Sequence, residues 1–158
     1  MREILFKAKR IDNGKWVEGY LFDNGFGGKE KKYFIGGLII EKYNGTACDE
    51  WDITGIDFCE IDPKTLCQFT GLCDKNGKRI WENDILMCHG NPVELIRATF
   101  GEFGVTDLET ETVTDEVIGW HYEVVPTDAI SRCEPFCWSM PLTEDYIDRC
   151  EMEVVDNP

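Results

Sequence analysis

The sequence predicts a mainly β fold, in which an N-terminal β unit precedes a small barrel-like β unit with one short helix near the C-terminus. Three observations support this prediction. Apolar and polar side chains alternate with a period of two in several segments, turn pairs such as Asn-Gly separate those segments, and one segment carries a helix start. With 158 residues and 42% apolar content, the chain is long enough for one domain with a packed core.

The first 22 residues predict a β-hairpin. Side chains alternate from Ile4 to Ala8 and from Trp16 to Phe22, and the Asn13-Gly14 pair between them tolerates the positive φ of a tight turn. Residues 33–40 then predict one β segment with a bulge or sharp bend at its central pair of glycines.

Later segments predict two further strands and a helix. Residues 93–100 and 117–125 are rich in β-branched and aromatic side chains, whereas the polar, acidic stretch 106–116 predicts an exposed loop or hairpin end. Thr143 is a candidate helix N-cap, followed by acidic residues that the helix dipole favours. Leu142 and Ile147 fit a hydrophobic staple, so we expect a short helix near residues 143–152.

The segment from Asp62 to Asp84, DPKTLCQFTGLCDKNGKRIWEND, is the most distinctive part of the chain. Asp74 can accept backbone donors within a turn whose last residue, Gly77, can adopt a left-handed conformation. A strand is expected to resume at Ile80 and to continue to Ile85. We therefore expect an N-terminal β unit over 1–61, a connector over 62–79 and a barrel-like unit over 80–158.

This segment closely resembles the signature of the YopX family, small proteins of bacterial phages and prophages. Residues 1–4, 16–20 and 156–158 also resemble that family, while Asn83 stands where the family usually has glycine. The resemblance implies a mainly β fold with an SH3-like barrel in the second half, and a phage or prophage gene. It supplies no activity, catalytic residue or cofactor. The signature residues are Pro63, Thr65, Gln68, Thr70, Gly71, Leu72, Asp74, Asn76, Gly77, Ile80, Trp81, Glu82 and Asp84.

The polar residues of this signature have two interpretations. In the first, they build turns and satisfy backbone groups between the two β units, as Asn and Asp commonly do. In the second, Glu82 and Asp84 form a carboxylate pair for a cation or for acid–base chemistry, because residues two apart on a strand share a face. A hard cation requires six or more oxygen ligands, and the sequence does not identify the others.

Eight cysteines suggest either buried thiols or a zinc site. Without an apolar signal segment at the N-terminus, we expect a cytoplasmic protein, no membrane association and reduced thiols. The spacings Cys133-x₃-Cys137 and Cys67-x₅-Cys73 are poor matches to zinc-binding pairs. Cys88-His89 is a poor catalytic pair, since adjacent strand residues point to opposite faces. The cysteines are residues 48, 59, 67, 73, 88, 133, 137 and 150.

Aromatic residues exceed the number that a small barrel must bury. Trp51, Trp81 and Trp120 can pack in a core, which is the usual role of such residues. Phe136 and Trp138 lie in the stretch from Cys133, which predicts a surface loop with exposed apolar side chains. This stretch is therefore the candidate contact loop.

Charge is distributed unevenly along the chain. Residues 1–42 carry a net charge of +3, residues 43–99 carry −5 and residues 100–158 carry −13, which together give −15. An acidic surface repels nucleic-acid phosphates, so we expect no direct nucleic-acid binding and an attraction for basic partners.

Three functional hypotheses follow. The first is a non-enzymatic phage accessory protein that binds another protein or itself as a homo-oligomer. The second is a DNA mimic, in which the acidic last third blocks a nucleic-acid-binding protein. The third is an enzyme whose site the sequence does not reveal.

Overall fold

The computed structural model describes residues 3–42, 51–107, 109–133 and 137–155, and these residues are mainly β, as predicted. The Asn44-Gly45 pair, which also predicts a turn, lies outside the described residues, as do residues 1, 2 and 156–158 of the family-like chain ends. The chain forms two compact units, residues 1–68 and residues 69–158. The three-part division at residues 61 and 79 stays a prediction.

The first unit contains four complete strands of an antiparallel sheet. Its strands are β1 (Phe6–Lys9), β2 (Trp16–Asp23), β3 (Tyr33–Lys42) and β4 (Trp51–Glu60), in the order β4-β3-β2-β1. β1 and β2 pair around the Asn13-Gly14 turn, where Gly14 has a φ of +68°. The sheet thus extends beyond the predicted hairpin, and a separate hairpin unit is not confirmed.

A small core fills the concave side of this sheet. Ala8, Ile35 and Ile61 are buried there, and Val17 and Leu21 pack against them. A β-bridge between Arg10 and Ile61 joins the end of β1 to the residue that follows β4. The sheet therefore curls until its first and last strands meet at one end.

The register shift in β3 does not lie at the glycines, where a bulge or sharp bend was predicted. The register of β3 against β4 is regular through Gly36 and Gly37 and shifts between Ile39 and Ile40. A Cβ on Gly36 would overlap the carbonyl oxygen of Asp57. Gly36 therefore permits close approach of β4, and the prediction that the glycines form the bulge is wrong.

The second unit contains a five-stranded antiparallel sheet in the order β10-β9-β8-β7-β11. β5 (Cys67–Cys73) begins against β1 in the first unit and continues here, where it pairs with β6 (Arg79–Trp81). This open strand order does not establish the SH3-like barrel, which stays a prediction. The sheet strands are β7 (Ile85–Met87), β8 (Leu95–Asp107), β9 (Thr112–Val125), β10 (Met140–Pro141) and β11 (Glu153–Val155).

The predicted C-terminal helix is confirmed as α2 (Glu144–Arg149). The Thr143 hydroxyl accepts a hydrogen bond from the backbone N–H of Tyr146, and Leu142 and Ile147 are buried in the same core cluster. A five-residue helix that the sequence did not predict, α1 (Ala129–Cys133), precedes it. Within the described ranges, no helix has the length and apolarity needed to cross a membrane.

β8 and β9 form a ribbon that continues past the neighbouring strands. β7 pairs with β8 only as far as Arg97, and β10 pairs with β9 only at His121 and Tyr122. The stretch predicted as an exposed loop or hairpin end, 106–116, is the end of this ribbon. Its strands reach Asp107 and resume at Thr112, so the turn itself is short.

Candidate functional site

The first part of the signature links the end of β4 to β1 by hydrogen bonds. The carboxylate of Asp62 accepts a hydrogen bond from the N–H of Lys64 at the start of a 3₁₀ turn, Pro63–Thr65. The Thr65 hydroxyl donates to the Asp62 carbonyl and accepts from the Lys9 N–H, both at 2.8 Å. Gln68, at the start of β5, is paired with Phe6 of β1.

The middle of the signature joins β5 to β6. The buried Thr70 hydroxyl donates to the Ile80 carbonyl at 2.8 Å and accepts from the Leu72 N–H at 3.1 Å. Between these residues, Gly71 has a φ of +89°, and the register of β5 against β6 is irregular there. Glycine adopts this conformation at little cost, which accounts for its presence at this position.

The Asp74 carboxylate is buried and accepts three backbone hydrogen bonds. Oδ1 accepts from the N–H groups of Asn76 and Lys78, and Oδ2 accepts from the N–H of Val154 in β11, each at 2.9 Å. Gly77 completes the turn with a φ of +80°, as the sequence predicted. The turn is therefore tied to a strand 80 positions away, a link that the local sequence could not reveal.

Glu82 and Asp84 lie in a turn between β6 and β7, so the prediction that they share a strand face is wrong. Asn83 reverses the chain with a φ of +66°. Oδ2 of Asp84 accepts a hydrogen bond from the Trp81 N–H at 2.9 Å, and the Asp84 N–H donates to the Trp81 carbonyl at 3.0 Å. This carboxylate therefore caps its own turn.

Three thiols lie around the core of the second unit. Burial raises the pKa of Cys88 to about 12, and burial is also the main cause of the raised pKa values of Cys137 and Cys150. Burial likewise raises the pKa of the Tyr122 hydroxyl, which is hydrogen-bonded to Cys137. Because the thiolate is the reactive form, these environments disfavour nucleophilic chemistry.

The remaining metal and catalytic candidates are not brought together. The His89 ring is bonded to Glu94 at 2.9 Å rather than to its neighbour Cys88. Cys67 and Cys73 lie at opposite ends of β5, and the side chains of Cys48 and Cys133 lie outside the described residues. Among the residues that the structure describes, no group of three or more His, Cys, Asp or Glu side chains could hold a metal ion.

Only part of the candidate contact loop is described. Trp138 is 44% exposed, whereas Phe136 and the side chain of Trp51 lie outside the described residues. Trp81 is buried against Phe69, with 5.4 Å between the ring centroids. Trp120 packs edge-on against the exposed Phe100, at 5.1 Å.

A larger apolar surface lies on the convex side of the first unit, and the sequence analysis did not identify it. We call it the apolar face. The sequence of β2 did contain an indication of this surface, because its apolar side chains fall on both faces of the strand. In a strand with only one buried face, apolar and polar side chains alternate instead. Its members are each between 44% and 59% exposed and are Trp16, Tyr20, Phe22, Leu38, Ile40, Ile53, Ile56 and Phe58.

Strand register places these eight side chains on one surface. Tyr20 lies opposite Gly36, which in turn lies opposite Phe58, and Leu38 lies opposite Ile56. Directly paired residues of an antiparallel sheet point to the same side. Beyond the bulge, Ile40 pairs with Ile53, so the surface continues to the far end of β4.

An open groove of about 400 Å³ lies in the first unit. Arg10, Asp57 and Cys59 line it, together with Gly19 and Gly37, which have no side chains to fill it. The Arg10 guanidinium is held at 2.6 Å by Asp12, and burial raises the pKa of the Cys59 thiol. The Arg10 side chain of this groove is therefore already paired with a carboxylate, and the Cys59 thiol is held in its protonated form.

Comparison with known proteins agrees with the signature. No curated protein matches the chain significantly. The profile of one family, described as YopX protein, matches residues 5–134, which include both the signature and the strands of the apolar face. The chain therefore belongs to the YopX family.

Proposed function

We propose that the chain is a non-enzymatic accessory protein, encoded by a phage or prophage, that acts in the bacterial cytoplasm by binding protein. The apolar face carries this proposal. Eight large, half-exposed apolar side chains on one sheet surface form a larger patch than a typical monomer exposes, and such patches mark interaction sites. The family resemblance supports the phage or prophage setting.

The contacts of the signature also support this proposal. Thr65, Thr70, Asp74 and Asp84 hydrogen-bond to backbone groups of neighbouring turns and strands. Buried and partly buried polar groups with such partners stabilise a fold, whereas a reactive group must be available to a substrate. We infer that the signature maintains the scaffold that presents the apolar face.

Affinity capture from bacterial lysate tests the protein-binding role. Wild type should retain a protein partner that a variant with charges in the apolar face, Leu38→Lys/Ile56→Glu, loses. Ile130→Lys is the matched control, because Ile130 is an exposed helix residue of the second unit that lies outside the β8–β9 ribbon. Equal recovery of every partner by wild type and by the double variant would contradict the proposal.

The β8–β9 ribbon favours a second candidate function, a DNA mimic. Residues 98–120 carry six carboxylates and no Lys or Arg. A partner that normally binds DNA would be attracted to this charge, and the attraction would weaken with salt. Replacing Glu109, Glu111, Asp115 and Glu116 by the corresponding amides should release such a partner. If a captured partner stays bound to this variant, and stays bound to wild type at high salt, the DNA-mimic hypothesis is wrong.

A further inference from the structure

The groove of the first unit opens where β2 and β3 stop pairing. The register of these two strands ends at Tyr20 and Gly36, although both strands continue beyond these residues. Residues 17–19 of β2 and 37–39 of β3, which lie beyond that point, line the groove. The groove therefore lies between two strands that separate. Its volume of about 400 Å³ falls within the range of ligand sites, about 300–1,000 Å³.

Asp57 contributes an exposed carboxylate to this groove. Within the part of the chain that the structure describes, this carboxylate has neither a hydrogen bond nor an ion pair. It lies on the same side of β4 as Cys59, because residues two apart on a strand share a face. The protonated Cys59 thiol donates to the Ile35 carbonyl at 3.4 Å and adds no charge. The Asp57 carboxylate is therefore available to a donor from outside the chain.

The charges around the groove leave an excess of negative charge. Arg10 also lines the groove, and its guanidinium donates to Asp12 from Nε at 2.9 Å and from Nη2 at 2.6 Å. Asp12 is the main cause of the raised pKa of Arg10, whereas Asp57 has a smaller effect. Glu18 of the lining lies opposite Lys7 in β1. These two pairs are neutral and the whole chain carries −15, so the field around Asp57 attracts a cation and repels an anion.

The walls of the groove favour a cation with an apolar stem. Val17, Ile35 and Ile39 line the groove, and Ile39 is 45% exposed. Lys and Arg pack their methylene stems along apolar surface while the charged head stays in polar surroundings. The head carries only hydrogen-bond donors, which a carboxylate accepts. A metal ion fits less well, because no group of three or more ligating side chains forms among the described residues.

The groove borders the apolar face, because Tyr20 and Leu38 belong to both. We propose that the groove receives a long basic side chain, arginine or lysine, of the protein that covers the apolar face, with the charged head at the Asp57 carboxylate. This proposal rests on the proposed function, since it names the chemistry that the partner presents beside its apolar contact. Arginine is enriched in protein interfaces, where apolar contacts lie beside polar ones.

Amide NMR spectra of the full chain, titrated with N-acetyl-L-arginine amide up to about 50 mM, test the groove. The probe should shift the backbone amides of Gly19, Gly37 and Cys59. N-acetyl-L-citrulline amide has the same shape without the charge and should bind at least about 5-fold more weakly, which is the effect of losing one exposed ion pair. This comparison uses wild type alone and needs no variant.

Asp57→Asn should weaken binding of the arginine probe by a similar factor, about 5-fold. The variant should keep its fold, because the Asp57 side chain is exposed, and the same spectra show whether it does. Asp148→Asn is the matched control, since Asp148 is an exposed carboxylate on α2. It should leave the affinity unchanged.

Four results of the titration would overturn the proposal. They are the absence of shifts at the groove, equal binding of the citrulline probe, equal binding of the arginine probe by Asp57→Asn, and shifts over 102–116 as large as those at the groove. The last would assign binding to the general negative charge of the ribbon. Stronger shifts at the groove with N-acetyl-L-glutamate amide would also overturn it, because they would assign the site to an anion held by Arg10.

Capture from bacterial lysate separates this proposal from the proposed function. A partner that wild type retains should be retained less by Asp57→Asn and equally by Asp148→Asn. A partner that Leu38→Lys/Ile56→Glu loses and Asp57→Asn keeps in full would overturn the role of the groove and leave the proposed function standing. Equal capture by wild type and both of these variants would contradict the proposed function as well.

Discussion

Asn83 has a backbone conformation that few residue types adopt without cost. Its φ of +66° lies in the left-handed region, and its N–H donates to the carbonyl of Ala98 at 2.8 Å. Glycine and asparagine tolerate this region better than other residues. The one departure from the family signature that the sequence analysis identified is therefore a replacement of one tolerant residue by another.

Substitutions at position 83 should follow this conformational preference. Asn83→Gly should change the free energy of unfolding by less than about 0.5 kcal/mol, whereas Asn83→Val should lower it by about 1–2 kcal/mol. Urea denaturation followed by tryptophan fluorescence measures both. A Val variant as stable as the Gly variant would show that the left-handed conformation is absent.

Asp74 provides a second prediction at the residue scale. Asp74→Ala removes an acceptor shared by three backbone N–H groups, one of them on β11, and should lower the free energy of unfolding by about 3 kcal/mol. Asp107 is the matched control, because it accepts from Glu109 and Thr110 within the ribbon turn alone. Asp107→Ala should cost less than about 1 kcal/mol. Equal losses would mean that the link to β11 contributes nothing.

Strands and turns were predicted where local chemistry determines them. The Asp74 turn, α2 with its Thr143 cap, and the parts of the ribbon strands over 95–100 and 117–125 follow from neighbouring residues, whereas 101–107 and 112–116 were not predicted as strands. β11 is three residues long and depends on pairing with β7, so no local pattern marks it. The apolar face was missed for a related reason, because its members come from three strands whose register the sequence does not specify.

The paired glycines of β3 give a prediction at the scale of the element. Gly36→Ala would force its Cβ into the Asp57 carbonyl and should separate β3 from β4, lowering stability by about 2–3 kcal/mol. Gly37→Ala is the control, since its Cβ would meet nothing closer than the Tyr20 ring at 4.0 Å. Its effect should stay within about 0.5 kcal/mol. Hydrogen exchange measured by mass spectrometry should show faster exchange over 33–41 in the first variant alone.

At the scale of the whole molecule, the two units differ in core size and in charge. Within the part of the chain that the structure describes, the buried cluster of the second unit includes Leu86, Ile96 and Tyr122 among ten residues, whereas that of the first unit contains Ala8, Ile35 and Ile61. Acidic residues dominate the last third of the chain, and basic residues outnumber them over 1–42. Among the described residues, the larger buried cluster therefore lies in the second unit, which also carries most of the negative charge, and the apolar face lies in the first unit.

The protonated thiols of the second unit predict a loss of stability in alkali. The folded state holds the pKa of Cys88 at about 12, above the ordinary thiol value. The unfolded chain therefore loses this proton first as the pH rises, and above about pH 8.5 unfolding becomes more favourable by up to about 1.4 kcal/mol per pH unit for each such group. The contribution of the Cys88 thiol to folding stability is fully present below about pH 8.5 and disappears towards pH 12.

Urea midpoints measured from pH 7 to pH 10.5 test this dependence. Wild type should lose stability steadily above about pH 8.5. Cys88→Ala should start lower, because it leaves a cavity, and should decline less steeply. Parallel curves for the two proteins would show that the Cys88 thiol does not contribute.

The hydrogen bond between Val154 and Asp74 can form only late in the synthesis of the chain. The two residues are 80 positions apart, and at roughly 5–20 residues per second the second is made about 4–16 s after the first. All strands of the first unit have emerged before the carboxylate meets its last donor. A nascent chain can therefore complete its first sheet, with the apolar face already formed, while the second sheet still lacks an edge strand.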